Sequence, residues 1–183
     1  TRTCAGRPAG CTQLLLVMIV GDDFRVALVE ASYVARVPDF EVGGTAHSAA
    51  EAVRLAAELR PDLVLLDEYL PDATGSSVIG RLDAAVIVIS AADDAVSVQR
   101  ALARGAINYL VKPFAPSVLV DRLNAFARFH RLLAGDRRLD QTDVDRAMFV
   151  LHEGALPTAS MPTGLWAWTP HTIRSALRIA GVA

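Results

Sequence analysis

The stretch LLLVMIVGDDF, Leu14 to Phe24, is apolar through Val20 and then turns acidic at Asp22 and Asp23. A segment that is apolar at every position has no solvent face, so it predicts a strand buried on both sides. Leu14 to Val20 is seven residues long, far short of the ~20 a membrane helix requires. Phe24 to Val37 reads as the helix that follows, with Ala27, Leu28, Ala31 and Val34 on one face. Together they predict a parallel sheet covered on both sides.

The unit recurs along the chain. Phe40 to Ala46 (FEVGGTA) is a second strand, and Ser48 followed by Glu51 has the spacing of a capping box for a helix carrying Ala49, Val53, Ala56 and Leu59. Pro61 closes that helix, DLVLLD supplies a third strand ending in Asp67, and Ala85 to Ser90 a fourth. A helix from about Asp94 to Arg104 stops at Gly105, AINYLV is the fifth strand, and the fifth helix starts near Ser117. Five β/α repeats from Leu14 to about Leu133 predict a doubly wound, five-stranded parallel sheet. Only Gly75 to Asp83 is left for the third helix, which predicts thin cover there or residues missing from that segment.

The flanks differ in character. Residues 1–13 form a Gly/Pro/Arg/Thr-rich head with Cys4 and Cys11, read as an irregular start of a cytoplasmic protein in preference to a disulfide or half a metal site. Residues 134–183 begin as a charge-rich connector, continue into a helix with Val144, Ala147, Met148 and Leu151 in register, and pass through a Pro-rich segment containing Trp166 and Trp168. A last helix is predicted in HTIRSALRIAG. The 52% hydrophobic content can fill a core without disulfides, and a formal charge of -2 gives no chain-wide basic field for nucleic acid.

In such a sheet ligands bind beyond the carboxyl ends of the strands. Those ends carry Asp22 and Asp23, Asp67, Ser90, and Lys112, the only lysine of the chain. Clustered carboxylates repel one another unless a cation neutralises them, and Mg²⁺ suits a few carboxylates with room for water and phosphate oxygens. A lysine can pair with a carboxylate or with a phosphoryl oxygen, and a serine hydroxyl can donate to another. Phosphoryl transfer to an aspartate is the chemistry these groups support. Each residue also has a plainer reading: the aspartates as helix caps, Ser90 as a strand-end cap.

DDF at Asp22 to Phe24, DEYLPD at Asp67 to Asp72, Ser90-Ala91, and NYLVKPF ending at Phe114 resemble the receiver domain of two-component response regulators, over residues 14–133. The resemblance implies the flavodoxin-like strand order 2-1-3-4-5, and that Asp67 accepts a phosphoryl group from a histidine kinase, in a self-catalysed reaction rather than that of a conventional enzyme. It implies that Asp23, Asp67 and the Tyr69 carbonyl hold Mg²⁺, with Asp22 acting through a water. Ser90 and Tyr109 would be the switch pair, Lys112 the phosphate partner, and Lys112-Pro113 a cis bond that aims the ammonium into the pocket. It implies a homodimer formed through the fourth helix, fifth strand and fifth helix. The stripe Leu119, Leu123, Phe126, Phe129, Leu133 of the fifth helix runs past a typical domain end and reads either as core or, in its overhang, as a dimer or linker helix.

Within that family the chain is similar to transcriptional regulators paired with sensors of citrate, malate and C4-dicarboxylates, through DDFRVA, PDFEVGGTAHSAAEA, RPDLVLLDEYLPD, LDQTDVDRAMFVL and TPHTIRSALR. Their DNA-binding domain would have to follow residue 183. The alternative is a receiver that acts through protein contacts or phosphorelay alone. Glu68 departs from the pattern by setting a charge beside Asp67, expected either to slow phosphorylation or to face solvent. A haloacid-dehalogenase-type phosphatase is disfavoured because Tyr69 stands where its second aspartate belongs. Nucleotide binding is disfavoured because acids replace a glycine-rich turn after the first strand.

Overall fold

The computed structural model describes residues 14–134 and 138–152. Strands β1 (Leu15–Val20), β2 (Phe40–Ala46), β3 (Leu63–Asp67), β4 (Ala85–Ser90) and β5 (Asn108–Val111) form one parallel sheet in the order β2-β1-β3-β4-β5. This is the expected doubly wound topology. β1, buried at every residue, pairs with β2 on one side and β3 on the other.

Alternation along each strand divides the core into two layers. Leu15, Val17 and Ile19 of β1, Leu63 and Leu65 of β3, and Ile87 and Ile89 of β4 face α1 (Phe24–Val34) and α4 (Pro116–Leu133). Met18 and Val20, Val64 and Leu66, and Val86 and Val88 face α2 (Ala49–Leu59), a short 3-10 helix (Gly75–Arg81) and α3 (Ala95–Ala103). The chain reverses its winding between β1 and β3, so their carboxyl ends open the crevice where a ligand belongs.

The helix faces differ in detail from the periodicity reading. In α1 the buried residues are Ala27, Glu30 and Val34, whereas Leu28 is 64% exposed. Leu28 lies ~100° around the helix from Ala27, which carries it off the sheet and into solvent. In α2 the fully buried positions are Ala49, Ala52 and Ala56, with Val53 and Leu59 at the margin. Its capping box forms on one side: Glu51 N donates to Ser48 Oγ at 3.2 Å, but the Glu51 carboxylate accepts from His47 N at 2.7 Å rather than from Ser48. Asp72, from the loop after β3, accepts from Ala49 N and Ala50 N at 2.7 and 2.9 Å and so binds that loop to the start of α2.

The expected short third helix is the seven-residue 3-10 turn Gly75–Arg81, which covers the sheet with Val78 and Ile79. Two glycines permit close approaches. At Gly43 β2 bulges against β1, and a Cβ there would meet Leu16 Cδ1 at 2.6 Å. At Gly75, whose N–H donates to Glu68 O at 2.8 Å, a Cβ would collide with the Asp67 carbonyl oxygen.

Helix α5 (Gln141–His152), opened by Asp140 accepting from Asp143 N at 2.8 Å, packs on α4 through Ala147 and Leu151. Val144 and Met148, read as part of the same register, are 39% and 47% exposed because one helix neighbour covers only a narrow stripe. The head with Cys4 and Cys11, the Trp166/Trp168 segment and the last predicted helix lie outside the described residues. Among the described residues no helix is long and apolar enough to cross a membrane.

Gly75→Ala is expected to lower the unfolding free energy by about 2–4 kcal/mol, since its clash is with backbone that cannot turn aside. Gly80→Ala, with open space around the new methyl, should change it by less than about 1 kcal/mol. Urea titration of both variants measures the difference, and matching midpoints would contradict the assignment.

Candidate functional site

The alternation that sorts the core also sorts the residues at the strand ends. Asp67 continues the series Leu63, Leu65 and so emerges on the α1/α4 side of β3. Lys112 follows Leu110 with the same parity, and the two side chains meet: Lys112 Nζ donates to Asp67 Oδ2 at 2.7 Å. Both are mostly covered, at 18% exposure for Asp67 and 26% for Lys112. Lys112 N donates to Ser90 O at 2.7 Å, and the Lys112-Pro113 peptide is cis. Asp67 Oδ1 accepts from Tyr69 N at 3.1 Å, so both carboxylate oxygens are engaged.

A third charged group joins them that strand-end reasoning missed. Glu30 comes from the inward face of α1, is only 7% exposed, and its Oε1 lies 3.8 Å from Lys112 Nζ. Burial pushes its carboxyl up to about 7; the nearby Lys112 ammonium pulls it down and the Asp67 charge adds to the rise. A signal was present in the sequence: Ala27, Glu30 and Val34 have helical spacing, and a charge inside an apolar stripe marks a group facing a polar site.

Glu68 has the opposite parity and leaves on the other face. It is 3% exposed, and its carboxylate accepts from Ser76 N and Ser76 Oγ, both at 2.8 Å. It therefore neither faces solvent nor turns toward the acceptor position; it caps the 3-10 helix, whose Ser76 carbonyl also accepts from Arg104 Nη1 at 3.3 Å. Ser90 and Tyr109 share that second face. Ser90 is fully buried and its Oγ accepts from Ala92 N at 3.0 Å, while the Tyr109 hydroxyl donates to Ala92 O at 2.8 Å. Burial holds the Tyr109 hydroxyl above its ordinary pKa, which keeps it a donor.

The acidic pair after β1 stands beside Asp67, since a Cβ on Gly21 would lie 3.7 Å from Asp67 Cβ. Asp22 and Asp23 are exposed, and Asp23 caps α1 by accepting from Arg25 N at 2.8 Å. The three carboxylates of Asp22, Asp23 and Asp67 do not close into one cluster: among the described residues no three His, Cys, Asp or Glu side chains are grouped to hold a metal. The cap bond turns Asp23 toward its own helix, and Lys112 already neutralises Asp67. The donor set still fits a hard cation of the Mg²⁺ type, because Asp23, Asp67 and the Tyr69 carbonyl are all oxygen donors around the same strand ends. Such an ion retains several waters and needs only one or two carboxylates.

Known proteins resemble this chain in sequence and fold. Residues 17–124 match the response regulator receiver domain. The chain is 32% identical over 176 residues to the transcriptional regulatory protein CitT of Halalkalibacterium halodurans, covering 92% of this chain and 76% of that protein. It is 31% identical to the transcriptional regulatory protein DcuR of Escherichia coli O6:H1, covering 88% and 70% respectively. The signal receiver domain of the response regulator NarL from Mycobacterium tuberculosis superposes with a TM-score of 0.57 at 28% identity, over 63% of this chain and 98% of that one.

Glu30 makes stability fall with rising pH. Its carboxyl is raised in the fold, so the folded chain holds a proton that the unfolded chain releases above the ordinary value of 4.5. The benefit is complete below the ordinary glutamate value of 4.5 and is lost by about pH 7, a change of about 3 kcal/mol. Glu30→Gln should flatten this part of the profile and be the more stable protein at pH 8, as read by urea unfolding from pH 5 to 8. Parallel profiles for the two proteins would show that Glu30 is not the titrating group.

Proposed function

Because the chain belongs to the response regulator receiver domain family, we propose that it is a phosphorylation-switched regulator whose acceptor is Asp67. The observation that carries this reading is the Lys112 ammonium 2.7 Å from Asp67 Oδ2 in the crevice beyond β1 and β3. In this reading Asp67 attacks the phosphorus of a phosphohistidine on a sensor kinase. A P–O bond to Asp67 forms as the P–N bond breaks, and the imidazole leaves with the electron pair. Lys112 moves from the carboxylate to a phosphoryl oxygen and offsets the added charge. Asp23, Asp67 and the Tyr69 carbonyl would hold Mg²⁺, with Asp22 acting through water. That ion supplies neutralisation of the phosphoryl oxygens.

Ser90 must exchange its bond to Ala92 N for one to the phosphoryl group, and Tyr109 follows through its own hold on Ala92. The change would be read on the face formed by α3, β5 and α4, where Val96, Leu102 and Val111 are exposed at 62%, 48% and 41%. That exposed apolar surface supports dimerisation there. Residues 14–133 then act as the receiver and the segment from 134 as the connector, in the cytoplasm, with transcription as the output because the curated relatives are transcriptional regulatory proteins. DNA contact in this reading falls to an output region beyond the receiver.

Incubation with acetyl phosphate and Mg²⁺ should add one phosphoryl group to the intact mass. The gain should vanish in Asp67→Asn and on chelation with EDTA. An unchanged mass for the folded wild-type protein, or a gain that persists in Asp67→Asn, would overturn the assignment.

A further inference from the structure

Glu30 is a carboxylate the proposed chemistry leaves without a task. It projects from the second turn of α1, 7% exposed, and its Oε1 lies 3.8 Å from the ammonium that Asp67 holds at 2.7 Å. Lys112 is the only lysine in the chain, so one positive charge stands between two carboxylates. We propose that Glu30 is a positioning residue of the phosphoryl pocket: it competes with Asp67 for the Lys112 ammonium and so sets how much of that charge is available to an incoming phosphoryl group. This rests on the phosphoacceptor reading of Asp67.

The contrast with Glu68 supports a role beyond packing. Glu68 is buried as deeply but satisfied by two short bonds from Ser76. Among the described residues Glu30 has only the ammonium at ion-pair distance, a contact too long for a hydrogen bond. A buried carboxylate kept on so loose a contact exerts its effect through charge. The charged groups acting on it are Lys112, from the loop after β5, and Asp67, from the end of β3. With its carboxyl raised to about 7, Glu30 is neutral in mild acid and leaves Lys112 to Asp67. Above neutrality it is ionised, draws on the ammonium, and adds a negative charge where an anionic phosphodonor must approach.

The lone lysine gives a direct readout. With lysine labelled in ¹³C and ¹⁵N, this 183-residue chain shows a single lysine side-chain spin system, that of Lys112. Its Cε and Nζ shifts should titrate with a step near pH 7 in the wild type, absent in Glu30→Gln. The variant also separates Glu30 from His47, whose Nδ1 lies 3.0 Å from Gly21 O at the same edge. In acetyl phosphate reactions with Mg²⁺, the ratio of initial rates, Glu30→Gln over wild type, should be near one at pH 6 and rise to about three- to tenfold at pH 8. Using the ratio cancels the donor's own pH dependence.

A wild-type Lys112 signal with no step, the same step in both proteins, or a rate ratio flat across pH overturns the proposal. The wild-type titration decides it even if the variant folds poorly. A wild-type protein that takes up no phosphoryl group overturns the phosphoacceptor reading instead, and the Glu30–Lys112 pairing is then decided by the resonance alone.

Discussion

Consecutive side chains in an extended strand must leave on opposite sides, and in a sheet covered on both faces each side leads to a different environment. This alternation organises everything at the carboxyl edge. Asp67 and Lys112 fall on the layer shared with α1 and α4, where Glu30 waits. Glu68, Ser90 and Tyr109 fall on the other, with the 3-10 helix and the loop leading to α3. The site is thus two half-sites separated by the thickness of one strand, joined where Lys112 N donates to Ser90 O across the top of β4. A one-residue slip in β3 would exchange Asp67 and Glu68 and leave the ammonium without its partner.

Much of this was legible in the residues. The unbroken apolar runs gave the buried parallel strands, the punctuation by Pro61 and Gly105 gave the repeat, and the strand order came with the resemblance carried by the strand-end motifs. Gly105 does take the positive φ of 101° that its position as a helix stop calls for. The faces were harder to read. A strand apolar at every position carries no mark of which side is which, so the sequence could set Asp67 and Glu68 at a strand end without telling them apart. In α1 the pattern Ala27, Leu28, Ala31, Val34 reads as the inward face; the helix sits turned so that Glu30 takes the inner position and Leu28 the outer. A search for apolar recurrence passes over a polar residue inside the stripe, and the partner that accounts for it, Lys112, is 82 positions away in sequence.

The two buried glutamates show how little burial alone says about a charge. Glu68 sits at the mouth of a short helix whose Ser76 N–H and hydroxyl both point at it, so its desolvation is offset by bonds aligned to the carboxylate. Glu30 meets no such donors and relies on an ammonium claimed more closely by another carboxylate. The first stabilises the loop that follows Asp67, which Asp72 also ties to the start of α2. The second adjusts charge balance where Asp67 and Lys112 meet.

Ala92 contributes nothing chemical, yet both of its backbone polar groups are taken: its N–H by Ser90 Oγ from β4, its carbonyl by the Tyr109 hydroxyl from β5. A peptide gripped at both ends by side chains of neighbouring strands is a single mechanical variable with two handles. Displacing either handle turns the same short piece of backbone. A displacement of Ser90 and one of Tyr109 therefore converge on one residue that carries no functional group of its own.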